Sequence, residues 1–284
     1  MPWYIYLLVF IIANIFYVQS LRQVAPRFKN PSKGTVLLQI FAGTIALLFI
    51  PFFTVQFSTN PWHYLLILIA CIFYAITDIL YTTVYQHLDG ATNDIIAQTT
   101  TLLLMLYGFI FLGESTTLIR LIGAFLIIGA NILLALAYKK KGNKKDLKYI
   151  FLMILAQFTF TTAILIDVEV SKLFNLPLYI AITLFLPALM IIVFNRFSIK
   201  EILQEFNTKT KKLILLNAFV WVIMIIGGIL SLQSYKMSIV APLRATTTIL
   251  NTIVGAIWFK QTDNLWAKII ASLMVVAGIA LLFV

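Results

Sequence analysis

Long apolar runs separated by short polar segments follow one another along the whole chain. A bilayer core of about 30 Å needs roughly 20 helical residues to cross it. We predict ten membrane-spanning helices, at residues 3–19, 34–53, 63–86, 93–112, 118–138, 147–168, 177–194, 212–234, 239–259 and 265–284. The longest segment between them, 195–211, leaves no room for a folded domain outside the membrane. The pattern therefore predicts an all-α polytopic membrane protein.

The second half of the chain repeats the first. With a shift of 147 residues, segment 86–134 lies over segment 233–281 without a gap. The polar and small residues that coincide are Gln86 with Gln233, threonines 99–101 with 246–248, and Gly108 with Gly255. We therefore predict two repeats, residues 1–138 and 147–284, joined by a basic linker at 139–146. Five spans per repeat is an odd number, so the second repeat must enter the membrane in the opposite orientation.

The basic residues are distributed unequally between the two sides of the predicted membrane. All but four of the 21 Lys and Arg residues lie in odd-numbered loops or at their edges, Lys260 and Lys268 of the ninth loop among them. The four exceptions are Arg120, Lys172, Lys236 and Arg244. The positive-inside rule then places the odd loops in the cytoplasm and both termini outside.

Composition and motifs exclude several other classes of protein. The chain is 62% hydrophobic and 11% charged, whereas soluble domains carry about 25% charged residues. Its net charge of +11 resides in membrane-flanking loops, so nucleic acid is not an expected partner. A phosphate-binding loop, an HExxH motif and paired cysteines are absent, and the single cysteine, Cys71, lies inside a span. We therefore expect no enzymatic activity, no metal site and no cofactor.

The fourth and fifth spans carry a pattern of a known family. Gly108, residues 111–114 (Phe-Leu-Gly-Glu), Leu118, Gly123 and Gly129 resemble the glycine-rich pattern of the drug/metabolite transporter superfamily, in its ten-span duplicated form. The resemblance implies a transporter and leaves the substrate open. Two positions depart from the family pattern: Thr101 replaces a common proline, and the second repeat has Lys260-Gln261 in place of Gly-Glu. Familiar ten-span members also have both termini in the cytoplasm, the reverse of the orientation that the charges predict.

Asp78 is the sharpest candidate for chemistry, since it lies near the middle of the third span. A carboxylate at that depth costs roughly 2.5–3.5 kcal/mol on insertion scales and usually faces a cavity. Tyr74, Tyr81 and Tyr85 recur at steps that place them on its helix face. A carboxylate between tyrosine rings suits an organic cation or the carriage of a proton. The alternative is that Asp78 hydrogen-bonds to a neighbouring helix and the tyrosines pack between helices.

Two further carboxylates lie in the sixth span. Asp167 and Glu169 are two residues apart near the end of that span, and so point to different helix faces. This spacing argues against a paired-carboxylate site and leaves Asp78 as the deep carboxylate.

Other side chains within spans are weaker candidates. Arg244, in the ninth span, can extend to the outer surface, pair with Asp78 or bind an anionic group of a solute. The remaining candidates for the lining of a central cavity are Asn14, Gln98, Gln157 and Trp221. Side chains such as Asn14 and Gln157 more often form hydrogen bonds between helices than bind a ligand.

These observations predict a secondary transporter that moves a small organic solute or drug by alternating access, with export favoured. We expect it in the plasma membrane or a bacterial inner membrane, with a cationic solute preferred and with a proton or counter-solute for coupling. The competing class is a non-transporting membrane protein that binds lipid or assists assembly. A cavity open to one side favours transport, whereas a filled, dry centre around Asp78 favours the competing class.

The charge asymmetry yields a test of orientation. Cysteines introduced at Lys144 and Lys209 are expected to be protected from impermeant thiol reagents in intact cells, and a cysteine at Ser58 is expected to be labelled. Labelling at Lys144 together with protection at Ser58 would reverse the assignment and agree with the family's usual orientation.

Overall fold

A computed structural model describes residues 2–88, 90–100, 103, 117–140, 144–206, 210–235, 237–260 and 264–282. Within these residues the chain is helical and contains no β-strand. The main helices are α1 (Trp3–Val24), α2 (Pro31–Leu47), α3 (Pro61–Tyr85), α4 (Gly90–Ala97), α5 (Leu118–Lys140), α6 (Lys144–Val170), α7 (Leu176–Asn195), α8 (Lys211–Ser234), α9 (Met237–Phe259) and α10 (Leu265–Leu282). The predicted all-α class is confirmed.

Several of these helices are long and apolar enough to cross a membrane. In the part of the chain that the structure describes, five segments meet that standard: Trp3–Arg27, Pro61–Tyr85, Leu147–Leu173, Leu176–Asn195 and Lys211–Ser234. Shorter apolar helices cover Leu118–Leu133, Thr247–Trp258 and Leu265–Leu281. Large apolar side chains such as Phe125, Phe151 and Trp266 are exposed on the outside, as lipid contact requires. The protein is thus a polytopic membrane protein, and the number of ten spans stays a prediction.

One predicted boundary needs correction. The second span was expected to continue to residue 53, but α2 ends at Leu47 and a 3₁₀ turn, Ile50–Phe52, follows. Pro51 explains the early end, because proline lacks the N–H that a continuing helix needs. The basic segment 139–146, predicted to join the two repeats, includes the end of α5 at Lys140 and the start of α6 at Lys144. Lysine is a good helix former, so charge alone does not end a helix.

Asparagine begins three of the helices. The side chains of Asn30, Asn60 and Asn175 accept hydrogen bonds from backbone N–H groups in the first turns of α2, α3 and α7. A proline follows each of them within two residues, where its missing N–H costs nothing. These caps fix where the three helices begin.

Helices of the two halves pack against each other in a regular pattern. The closest pairs are α1 with α8, α3 with α6, α2 with α7, and α5 with α10. If each helix is replaced by the one five places away in the numbering, the pairs α1–α8 and α3–α6 exchange with each other. The pairs α2–α7 and α5–α10 stay the same. At the α1–α8 contact, a Cβ added to Gly227 would lie 3.0 Å from the backbone nitrogen of Phe10. Gly227 therefore allows the two backbones to approach closely.

The helices begin and end at two opposite ends of the bundle. At one end, the segments after α1, α3 and α7 meet; we call it the basic end. Arg22 donates to the carbonyl of Tyr85 (2.7 Å), and Gln86 donates to the carbonyl of Ala25 (3.0 Å). The carboxylate of Glu205 accepts from backbone N–H groups of the α1–α2 segment.

The opposite end, the non-basic end, joins the start of α1 to the segments after α2, α6 and α8. The rings of Trp3 and Tyr235 stack with centroids 4.5 Å apart. Gln56 donates to the carbonyl of Lys172 (2.8 Å), and Gln233 donates to the hydroxyl of Ser171 (3.0 Å). Since α1 begins at this end and α6 finishes here, the first helices of the two halves run in opposite directions.

One basic residue does not lie where its sequence position suggested. Lys268 was assigned to the membrane edge near the ninth loop, but it is fully buried in the first turn of α10. Helix α10 packs along α5 and also contacts α4 and α9. This surrounding protein covers Lys268, so it does not belong to the exposed charge of the basic end.

Glu205 provides a test of how the basic end is held together. It is buried, and its two carboxylate oxygens accept from the N–H groups of Lys29 (2.9 Å) and Asn30 (3.1 Å). Glu205→Gln places an NH₂ group against a backbone donor, so we expect a loss of about 1–3 kcal/mol, measured as a lower unfolding temperature in detergent. Glu201→Gln is the matched control: Glu201 is exposed, and its ion pair with the half-buried Lys33 is worth about 0–1 kcal/mol. Equal effects of the two substitutions would contradict the assigned role of Glu205.

Candidate functional site

A small cavity lies between helices of both halves. Its volume is about 10 Å³, room for about one water molecule. The lining comes from α1, α2, α3 and α8: Tyr17, Leu21, Thr35, Leu38, Asp78, Tyr81, Thr82 and Trp221. The centre around Asp78 is therefore not completely filled, and the space is smaller than an organic solute.

Asp78 is buried and directed toward α2 rather than α6. Its Oδ2 accepts a hydrogen bond of 2.7 Å from Nε2 of Gln39. The other amide atom, Oε1 of Gln39, is buried and has no donor among the described residues. The pair thus brings a carboxylate and an amide oxygen, both hydrogen-bond acceptors, to one place beside the cavity. Such a pair suits a solute that carries N–H donors or positive charge.

Threonines fix the backbone on which Asp78 is carried. The Thr35 hydroxyl on α2 lies 3.2 Å from the carbonyl of Asp78 and 2.7 Å from the hydroxyl of Thr82, both on α3. Both threonines are buried and line the cavity. This contact holds α2 and α3 together at the level of the carboxylate.

The predicted tyrosine face of α3 is divided between three environments. Tyr81 lines the cavity, and its hydroxyl donates to Gln157 of α6 (3.1 Å). Tyr74 donates to Asp167 of α6 instead of approaching the cavity (2.6 Å). Tyr85 is buried near the basic end, where Arg22 binds its carbonyl. Asp78 is therefore not enclosed by all three rings.

Two other helices contribute aromatic rings to the cavity lining, whereas Tyr74 and Tyr85 do not. Tyr17 of α1 and Trp221 of α8 lie 5.7 Å apart between ring centroids, and both line the cavity with Tyr81. Trp221 was among the predicted cavity-lining residues, whereas Tyr17 was not. The signal for Tyr17 is slight, because a single tyrosine near the end of a span is also typical of a membrane interface.

A second buried carboxylate was underestimated from the sequence. Asp167 lies in the last turn of α6 and is 5% exposed. Its two oxygens accept from the hydroxyls of Tyr74 and Tyr179, each at 2.6 Å. Asp78 is therefore not the single buried carboxylate of the predicted spans. Rings from α3 and α7 cover Asp167, which its position near a helix end could not reveal.

Arg244 does not make the contacts within the protein that were predicted for it. Its guanidinium lies 3.9 Å from the centroid of the Phe10 ring, a cation–π contact between α9 and α1. A Cβ on Gly228 of α8 would lie 3.4 Å from it. In the described part of the chain, Arg244 forms no ion pair with Asp78 or Asp167.

The other predicted residues take part in hydrogen bonds between helices. Asn14 of α1 accepts from Asn251 of α9 (3.0 Å). Gln157 of α6 accepts from Thr100 (3.0 Å) as well as from Tyr81. Gln98 lies just past α4 and is not among the residues that line the cavity. The structure therefore brings Asp78, Tyr81 and Trp221 together, and it places Asn14, Gln98, Gln157 and Arg244 elsewhere.

The fold defines the class of this protein as an all-α polytopic membrane protein. Comparison with known families then identifies it further: residues 2–136 match the EamA-like transporter family, which is part of the drug/metabolite transporter superfamily. The predicted resemblance to this superfamily is confirmed over these residues, whereas its ten-span duplicated form stays a prediction. The protein is a membrane transporter rather than an enzyme. A comparison with curated proteins found no match. The family pattern at residues 108 and 111–114 lies outside the described residues.

Proposed function

We propose that this protein is a secondary transporter that exports a small organic cation by alternating access, with Asp78 as the binding carboxylate. The observation that carries the proposal is a buried carboxylate beside a cavity lined by three aromatic rings. A carboxylate supplies charge pairing, and the faces of Tyr17, Tyr81 and Trp221 supply cation–π contacts. Membrane-embedded carboxylates are expensive and usually mark a solute or ion pathway.

The small size of the cavity supports a cycle in which the helices separate and close. The lining helices α1, α2 and α3 come from the first predicted half, and α8 comes from the second. A relative movement of the halves therefore opens or closes the space around Asp78. Contacts at the basic end and at the non-basic end each join one half to the other, so opening toward either side requires breaking one of these sets.

We also propose that the chain is a duplicated, inverted structure of residues 1–138 and 147–284. Two observations support it: the packing pairs exchange with each other when the helices are renumbered by five, and α1 and α6 run in opposite directions. An inverted pair of this kind places a solute site where the repeats meet, near the membrane midplane. Thr101, whose counterpart is Thr248, lies outside the described residues.

The solute class can be tested in vesicles that contain the purified protein. The panel is tetraphenylphosphonium, ethidium and methyl viologen, with a neutral sugar and an aromatic carboxylate for comparison, each with and without a pH gradient. We expect gradient-dependent movement of at least one cation and none of the sugar or the carboxylate. Movement restricted to the carboxylate would contradict the proposed cation site and direct attention to Arg244.

Asp78→Asn tests the role of the carboxylate. Removing one partner of a buried charge pair costs about 2–5 kcal/mol, so we expect cation transport to fall roughly 30-fold or more. The fold should persist, because the asparagine oxygen still accepts from Gln39. The unfolding temperature of the variant in detergent checks this point.

A matched control for this experiment is Glu169→Gln. It removes an exposed carboxylate that pairs with Lys172, and transport should stay at the wild-type rate. If Asp78→Asn also transports at the wild-type rate, Asp78 is a helix-packing residue and the proposed site is wrong.

A further inference from the structure

Asp167 is a buried carboxylate that the proposed solute site does not use. It belongs to α6, and hydroxyls from two other helices bind it: Tyr74 of α3 binds Oδ2 and Tyr179 of α7 binds Oδ1. Both distances are 2.6 Å, the length typical of a hydroxyl that donates to an ionised carboxylate. Asp167 is therefore the point at which three helices meet.

The surroundings of Asp167 contain no positive charge to balance it within the described residues. The titratable groups that face it are Tyr74 and Cys71 from α3 and Tyr179 from α7. On its own chain segment, Glu169 and Lys172 are exposed and pair with each other at 3.1 Å. An ionised Asp167 is therefore stabilised by hydrogen bonds from two neutral hydroxyl groups.

Protonation changes what this carboxylate can do. An ionised carboxylate only accepts hydrogen bonds, and here both oxygens are engaged. A proton bound to one oxygen makes that oxygen a donor and removes the negative charge, so the hydrogen bond from the tyrosine hydroxyl is no longer charge-assisted and becomes weaker. Proton binding at Asp167 is thereby linked to the contact of α6 with either α3 or α7.

Its position separates Asp167 from the cavity. Asp167 lies in the last turn of α6, next to the non-basic end, where Ser171 binds Gln233. Asp78 lies about two turns before the end of α3 that faces the basic end. The two carboxylates share helix α3: Tyr74 binds Asp167, and Asp78 follows one turn later. A movement of α3 at Asp167 therefore reaches the solute carboxylate directly.

We propose that Asp167, with Tyr74 and Tyr179, is a proton-binding site distinct from the solute site, and that proton binding there releases α3 from its contacts at the non-basic end. The proton comes from water on that side and returns to water, so the step requires no other reactant. As the coupling site of the proposed transporter, it rests on the proposed function. Its proton binding and helix release can be measured without a solute.

Infrared difference spectroscopy of the purified protein between high and low pH measures proton binding. A carboxylic C=O band that appears as the pH falls should vanish in Asp167→Asn and persist in Asp78→Asn and Glu169→Gln. Tyr74→Phe should shift the frequency of this band, because one hydroxyl no longer binds the carboxylate. If Asp167→Asn leaves all titrating bands intact, Asp167 does not bind a proton and the proposal fails.

The native cysteine reports on the release of α3. Cys71 is buried one turn before Tyr74 and packs in one cluster with Val170 and Tyr179. Asparagine resembles the protonated acid, since it has one donor group and one acceptor. At a fixed pH, N-ethylmaleimide should label Cys71 of Asp167→Asn roughly tenfold faster than in the wild type, about the lower limit for losing a hydrogen bond to a charged group. Labelling at the wild-type rate would refute the release of α3.

Two further variants keep this test decisive. Glu169→Gln should label at the wild-type rate, because its carboxylate is exposed and lies outside the three-helix contact. Tyr74→Phe keeps the carboxylate and removes the donor on α3, so it should label faster even if Asp167→Asn does not fold. A rate equal to the wild type in Tyr74→Phe, with correct folding, also counts against the proposal.

The vesicle assay with tetraphenylphosphonium separates the two proposals. Asp167→Asn should retain exchange of the cation down its own gradient and lose accumulation driven by a pH gradient, whereas Asp78→Asn should lose both. If the wild type moves no cation, the proposed function fails, while the infrared and labelling results still decide whether Asp167 binds a proton. Gradient-driven accumulation by Asp167→Asn would exclude Asp167 as the coupling site.

Discussion

Inside a bilayer a polar side chain has no water to bind, so each one must be satisfied by another part of the protein or by a solute. The polar residues of this bundle meet that requirement across helix boundaries. Asp78 receives a donor from α2, Asp167 receives two from α3 and α7, and Gln157 of α6 receives one from α3. Apolar side chains pack nearly as well against lipid as against each other, so these few polar contacts have a large share in deciding which helices are neighbours.

Most of the helical structure could be predicted because membrane crossing constrains both length and composition. The span predicted at 212–234 is the helix Lys211–Ser234, and the span predicted at 118–138 is the helix Leu118–Lys140. The prediction was wrong where backbone chemistry overrides hydropathy: Pro51 ends α2 within an apolar run. Hydropathy measures the preference of side chains for lipid, and it does not register the loss of one backbone N–H.

The site could be predicted only in part, because burial and partners depend on helices distant in sequence. Asp78 was recognisable from its depth alone. Gln39 was overlooked, although a deep carboxylate needs a donor and Gln39 is a strong donor inside the second span. Asp167 was discounted because it lies near a helix end, where water is normally available, and only the packing of Tyr74 and Tyr179 excludes that water. Depth in the membrane is a property of one segment, whereas coverage is a property of the assembled bundle.

Helix α3 takes part in the hydrogen bonds of both buried carboxylates. On the face toward α6, Tyr74 binds Asp167 and Tyr81 binds Gln157. Asp78, between these two tyrosines in the sequence, binds Gln39 of α2. A shift of α3 along or away from α6 therefore alters the polar contacts of both carboxylates at once. Each carboxylate has a different set of partners, on α2 for Asp78 and on α3 and α7 for Asp167. The alternating access that we propose requires two arrangements of similar free energy, and the helix shared between the two buried acids is the element on which that proposal rests.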